Sequence, residues 1–510
     1  MLWEAGLGQG GSERRAGLGC AAWAFLVLVG CDAVPLEARS ARVAAVLARA
    51  DQAVARARPA LIAGKYARMA GRVYDFYRGS FALFLSDARD PRSPLGASRF
   101  AVDGPLPLAL GDAHPENFGI LEAADGSLAL EPNDFDAADR WPWHWDLRRL
   151  LTGILLGARE ARAGDDAGLA TWREAEAGVV GACARAYAEA IAAQATGEVA
   201  GPRLTEGAGE PILADLFGRA ARDLASRAEL DALTELDPEG LRRLRRGQVD
   251  PDDPQAVLAS LPPSAVATLA ETLTRYRETL EAPPPASELR ILDAARQFGS
   301  GVASWPRVRV LILVAGPTDA HADDAILELK ELADSGARAW FPPGLLARDA
   351  GGRVLRASRL AWGRPDAEPR WGVSHWLGLP VQIRREAEGL KNVRVARWVG
   401  GRGTIAAVEG AGVALARLLA RVHATPVDGV SAAGPIAQAI AQDSIGFEAE
   451  QAEVCTAYAD LVEADHRRFV AALAVLGPTL GVAAAAGDAP SDAFHAILGI
   501  PPPIPTTEPR

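Results

Sequence analysis

The sequence predicts an α+β fold: a mostly helical large lobe, with a smaller β-rich lobe inserted late in the chain. Three textures carry that prediction. Residues 37–72 are rich in Ala and Arg, with apolar residues three and four apart, the period of a helix buried on one face, and 165–250, rich in Ala, Arg and Glu, also read as helical. From 289 to about 399 the pattern turns to strand-like runs, VRVLILVAG (308–316) and AILELKEL (325–332) first among them. Over 405–480 the helical period returns. A chain of 510 residues, half of them apolar, can bury a core of that size.

Taken in order, the chain opens on what reads as a leader, residues 1–31. Arg14 and Arg15 precede a mostly apolar run at 16–30 that ends Leu28-Val29-Gly30-Cys31. This ending is similar to a bacterial lipoprotein cleavage box, which implies a lipid anchor on Cys31 and a periplasmic location. The alternative is a start codon placed too early, ahead of a cytoplasmic protein. Residues 40–285 are expected to form the helical lobe, interrupted at 106–136. There a short strand (106–110), a loop, a strand (118–122), the turn AADG and a return strand (127–131) are expected. RWPWHWDLRRLLTGILLGARE then starts extended and becomes a helix, with Trp141, Trp143 and Trp145 alternating on one packed face. Proline clusters at 251–263 and 283–285 read as a linker or a surface excursion. The β-rich lobe is expected over 289–400, helices completing the large lobe over 401–480, and a disordered tail over 481–510.

Charge excludes one class of function. The net charge is −11 and the pI about 5.3, the wrong sign for a nucleic-acid binder. No CxxC pair exists among the four cysteines, which argues against a cysteine zinc site. Cys183 and Cys455 lie in helical sequence and read as buried small residues, with a disulfide as the alternative. Of 54 basic residues only Lys65, Lys330 and Lys391 are lysine. A broad guanidinium cannot copy a compact ammonium in a tight site, so each lysine is a candidate functional position.

The chemistry concentrates in GDAHPENFG (111–119) and NDFD (133–136). Phosphoryl transfer needs a carboxylate to orient a hydroxyl and take its proton, and oxygen ligands for magnesium. Asp112 and Asn117, five residues apart in one loop, can supply a base and an amide ligand. The hairpin between the motifs returns Asp134 and Asp136 as further magnesium ligands. His114 is a second candidate catalytic residue; a core or loop-bracing histidine is its plainer reading. Asp112-x-His114 also opens a metallophosphoesterase pattern, but the other histidines form no Asn-His pair. No GxSxG elbow is present for a serine hydrolase.

GDAHPEN resembles the GDxHxxN catalytic loop of aminoglycoside and choline kinases, and Trp145-Asp146-Leu147 the aspartate that buttresses it. KYARMAGRVYDFYRGSFALF, GDAHPENFG, NDFDAAD with WDLRRL, ARQFGSGVASWPRVRVLIL and LELKEL, in that order, resemble the bacterial family known as domain of unknown function 2252. The resemblance implies a protein-kinase-like fold and site. Only about thirty residues separate Arg78-Gly79-Ser80 from Asp112, too few for a nucleotide lobe between them. The order glycine turn, strand, lysine strand occurs downstream instead, at Gly299, Ser300, Gly301 and Lys330. The expectation is therefore a circularly permuted kinase-like fold that binds ATP and Mg²⁺ and acts on a small molecule or a protein hydroxyl. Where the family has a third glycine, this chain has Ser304. The alternative function is a catalytically inactive kinase-like binding protein tethered to the membrane.

Overall fold

The computed structural model describes residues 36–484 except 198–203, 206–208, 249–255, 319, 338–340, 342–343, 345–348 and 387–388. The leader with Cys31 and the tail from 485 lie outside the described residues. The fold is α+β. Its helical body is built on Trp143–Glu160, which is buried along nearly its whole length among Asp166–Ala195, Ile405–Ala424 and Ser444–Leu476. Side-chain caps start three of these helices. Asp165, Thr404 and Asp443 accept from the backbone N–H three residues on, at 2.9, 3.2 and 2.8 Å. The guanidinium of Arg39 on helix Leu36–Ala50, the first among the described residues, forks between Asp87 and Asp465 and so ties that helix to Ser444–Leu476.

The second structural unit is a seven-stranded antiparallel sheet. Its order is Gly372–Trp376, Leu379–Arg385, Ala325–Glu331, Arg309–Val314, Ile291–Phe298, Val257–Ser260 and Gly247–Gln248. Successive side chains of a strand point to opposite faces. Val310, Ile312 and Val314 pack with Leu269, Leu273 and Tyr276 of helix Pro263–Arg277, while Leu311 and Leu313 pack with Leu230 and Leu233 on the other face. Burial on both faces is why this strand reads as an unbroken apolar run.

Four segments differ from the sequence expectation. Residues 234–248, expected helical, form Thr234–Leu236, Arg242–Leu244 and Gly247–Gln248. Asp237 drives the change: its Oδ1 accepts from Leu241 N at 2.8 Å and closes a turn through Gly240, whose φ is +78°. The proline-rich stretch is not a linker in its described part, because Val257–Ser260 joins the sheet and Pro263 opens the helix on its face. Within the stretch expected to be β, Ala350–Trp362 is a helix, capped by Asp349 on Gly352 N at 2.7 Å and ended by Gly363 at φ +64°. Trp143 and Trp145 lie in the first helical turn after Pro142 and not in an extended segment, although all three tryptophans are buried as expected. Cys183 and Cys455 are free, buried thiols, not a disulfide. Among the described residues no helix is long and apolar enough to cross a membrane.

The hairpin that links the two acidic motifs forms as expected. Phe118–Glu122 pairs antiparallel with Leu128–Pro132, and Lys391–Asn392 adds a third strand. Asp125 accepts from Ser127 N at 2.9 Å and Gly126 takes φ +78°, which closes the turn.

Candidate functional site

The loop at 111–117 is held from below by the helical body. Gly111 has φ +76°, and a Cβ there would sit 2.4 Å from the carbonyl of Ala137, so no side chain fits. Asp146, on the first turn of Trp143–Glu160, accepts from Leu110 N at 2.7 Å and faces His423 Nε2 at 3.1 Å. His423 Nδ1 in turn meets the hydroxyl of Tyr187 at 2.7 Å. Asn117 Nδ2 donates to the carbonyl of Asp112 at 2.7 Å, which fixes the amide and leaves Oδ1 as its free acceptor. The hairpin register then sets Asn133 N on the carbonyl of Asn117 at 3.0 Å, beside Asp134.

Asp112 is paired inside the body. Its Oδ1 lies 2.7 Å from Arg149 Nε, and Arg149 is fully buried, stacked 3.7 Å from the ring centroid of Tyr77 and donating to the Tyr77 carbonyl at 2.8 Å. Burial raises the Asp112 carboxyl above the usual aspartate range, against the opposing pull of Arg149. His114 is buried beside it, with Nε2 4.0 Å from Asp112 Oδ2, too long for a hydrogen bond. Burial, reinforced by Arg78 and Arg149, holds this imidazole well below its usual pKa, so it is neutral.

Asp134 and Asp136 face the sheet. Lys330 Nζ, from strand Ala325–Glu331, reaches Asp134 Oδ2 at 3.3 Å and Asp136 Oδ2 at 3.0 Å, across 196 residues of sequence in the first case. Arg307 adds a contact of 3.2 Å to Asp136 Oδ2. Burial pushes the Asp136 carboxyl up, but Lys330 and Arg307 outweigh it and hold it below the usual range. Its second oxygen, Oδ1, is buried without a partner. Neither neighbouring glutamate takes Lys330: Glu328 pairs with Arg309 at 2.8 Å and Glu331 with Arg58 at 2.5 Å.

The structure therefore brings Asp112, His114, Asn117, Asp134, Asp136 and Lys330 to one place. It treats Gly299, Ser300 and Gly301 differently. The turn lies between strands as expected, with both glycines at φ +78°, but the residues after it dock on the helical body. Trp305 lies against Gly64 and under the guanidinium of Arg68, and Val302 against Gly79. The other two lysines are elsewhere, Lys65 on Asp51 at 2.7 Å and Lys391 on Asp223 at 3.0 Å. Arg78 braces the loop through Glu116 at 2.9 Å.

Among the described residues no three His, Cys, Asp or Glu side chains gather as a metal cluster. Magnesium asks for less: one or two carboxylates, with waters and phosphates completing an all-oxygen shell. Asn117 Oδ1, Asp134 and the unpartnered Asp136 Oδ1 fit that requirement.

A family of uncharacterised proteins conserved in bacteria, domain of unknown function 2252, matches residues 56–472. The chain belongs to this family. Neither a curated protein nor a solved structure matches it. The match takes in every residue of the site.

Three arginines of this family member's site were missed in the sequence. Arg149 follows Asp146 by three residues on the same helix, the spacing of one helical face, and that was the available signal. Arg307 closes SWPR, just ahead of strand Arg309–Val314. Arg353 gave no signal, because its partners are backbone carbonyls: Phe135, Asp136, Ala138 and Ala333.

Proposed function

We propose that the protein is a magnesium- and ATP-dependent phosphotransferase with a kinase-like, circularly permuted fold. One observation carries this reading. A lysine from the sheet meets the two aspartates of NDFD beside a loop that presents an aspartate and an asparagine five residues apart. Phosphoryl transfer asks for that set: a base, oxygen ligands and a cation for phosphate.

Asp112 takes the proton of the acceptor hydroxyl. Arg149 occupies Oδ1 and fixes the carboxylate's orientation, leaving Oδ2 for the substrate. Burial of Asp112 makes it a better proton acceptor than an exposed aspartate. Neutral His114 packs behind it without adding charge. Asn117, Asp134 and Asp136 would hold magnesium, which when bound neutralises charge on the transferring phosphate. Lys330 and Arg307 attract phosphate oxygens to the same edge of the sheet. The strand order supports the permuted reading. Ile291–Phe298, the glycine turn, Arg309–Val314, the Lys330 strand, a helix and two more strands follow the order of a nucleotide lobe, but after the catalytic loop in sequence.

A thermal-shift assay with Mg·ATP on wild type and on Asp134→Asn tests the proposal. A rise in Tm for wild type that is lost in the variant is expected; no rise in wild type contradicts it.

The second reading is a silent kinase-like binding protein held at the membrane, on the periplasmic side, by a lipid on Cys31. Two observations favour it: the LVGC sequence at 28–31, and the docking of Trp305 and Val302, which holds down the turn expected to cradle phosphate. The mass of the mature N-terminus, with label from a radioactive fatty acid, tests the anchor.

A further inference from the structure

We propose that Arg353 is the residue that positions the acidic loop against Lys330, so that helix Ala350–Trp362 governs the site through backbone contacts. For its functional meaning this rests on the phosphotransferase reading; its structural part does not.

Arg353 is 3% exposed. Its guanidinium donates to four main-chain carbonyls. Nη1 reaches Phe135 at 3.2 Å and Ala138 at 2.6 Å; Nη2 reaches Asp136 at 2.9 Å and Ala333 at 2.7 Å. Three of these acceptors belong to the loop that carries Asp134 and Asp136. The fourth lies three residues beyond Lys330, where the chain leaves its strand. One buried cation thus joins the acidic loop to the lysine strand and sets the separation that the 3.0 and 3.3 Å contacts require. Ser335 repeats the link beside it, donating to Asp139 at 2.7 Å.

The same helix grips the other end of the loop. Trp362 Nε1 donates to the carbonyl of Pro132 at 2.9 Å, and its ring meets Phe135 edge-on at 5.5 Å. Phe135 lies between the two aspartates in sequence, so a shift of the helix moves both.

The helix is also notable for what it does not carry. In protein kinases the phosphate-binding lysine pairs with a glutamate on the helix after its strand. AGGRVLRASRLAW contains no acidic residue. The counter-charges of Lys330 are instead Asp134 and Asp136 themselves, and an arginine aims them from the helix. A lysine at 353 keeps the charge but presents a point donor, unable to span four carbonyls in a plane.

The test is hydrogen–deuterium exchange on the full chain without metal, comparing wild type with Arg353→Lys, and with Arg356→Lys as a control on the same helix. Exchange at 133–139 is expected to quicken at least tenfold in Arg353→Lys only, with helix Ser444–Leu476 unchanged. Exchange at 133–139 equal to wild type, or quickened equally throughout the chain, overturns the proposal. Should Arg353→Lys fail to fold, Trp362→Phe keeps an aromatic ring but deletes the Nε1 bond to Pro132, and must quicken exchange at 133–136 alone. Mg·ATP affinity measured on the same proteins separates the two ideas. Quickened loop exchange in Arg353→Lys, with no Mg·ATP binding by wild type, leaves the positioning role standing and removes the phosphotransferase reading. Mg·ATP binding by wild type, with unaltered loop exchange in Arg353→Lys, does the reverse.

Discussion

Asp112 and Asp134 lie in the same site yet are held in different ways. Asp112 is gripped by Arg149, whose side chain is 0% exposed and rises from the helix at the centre of the body. Asp134 has a side chain one-third exposed and is met by Lys330 from the sheet, a separate structural unit. The first half of the site is thus part of the core and forms when the body folds. The second half exists only while sheet and body are in register. Asp112 is built in, and the contact of Asp134 with Lys330 is assembled.

The sharpest way to break this comparison is to remove each cation in turn. Arg149→Met leaves a buried carboxylate without its partner and is expected to cost about 3–5 kcal/mol of stability, read from urea denaturation. Next comes the loop's own backbone. Gly111→Ala forces a side chain into a left-handed conformation and against the Ala137 carbonyl, for a loss of roughly 2–3 kcal/mol in the same assay. Lys330→Met should cost less, about 1–2 kcal/mol, because Asp134 stays one-third exposed and Asp136 keeps Arg307, while it abolishes the Tm rise with Mg·ATP. A stability loss in Lys330→Met as large as that in Arg149→Met would erase the distinction between the two halves.

The smallest effect is in pH, and its sign differs between the halves. Asp112 is raised above the ordinary 3.8, so its contribution to stability is fully present below that value and is lost as pH rises through the raised pKa. Asp136 is lowered, so its contribution is present above 3.8 and is lost as pH falls through the depressed pKa. Urea midpoints followed from pH 3 to 6 should therefore change slope in opposite directions in Asp112→Asn and Asp136→Asn. Slopes that change alike would show that the two carboxylates share one environment.

The same contrast explains what the sequence could and could not tell. The hairpin is legible because its signals are local: two short, largely apolar runs at 118–122 and 128–132, with Asp125-Gly126 between them to turn the chain. Asp146 was legible through its place in WDL. The residue that completes each half was harder. Arg149 is 37 positions from Asp112, and Lys330 is 196 from Asp134; the rarity of lysine and the order glycine turn, strand, lysine strand single the latter out. Helix Ala350–Trp362 lies in a stretch whose sequence reads as mixed β, and Gly351 and Gly352 at its start and the prolines before it disfavour a helix in isolation. Its capping aspartate overrides them. Strands at 234–248 were hidden by the run LRRLRR, whose arginines read as a solvated helical face, and only the Asp237–Gly240 turn betrayed them. The glycine turn was found, but the docking of Trp305 beyond it depends on Gly64 and Arg68, more than 230 residues earlier, and no local pattern reports that.

The proposed function requires that Asp134 and Lys330 together hold a magnesium-bound nucleotide. Calorimetric titration of a magnesium-loaded, non-hydrolysable ATP analogue into wild type, Asp134→Asn and Lys330→Met measures this. Saturable binding to wild type and at least tenfold weaker binding to each variant are expected. No heat of binding to wild type at millimolar nucleotide, or equal affinity in all three proteins, would contradict it.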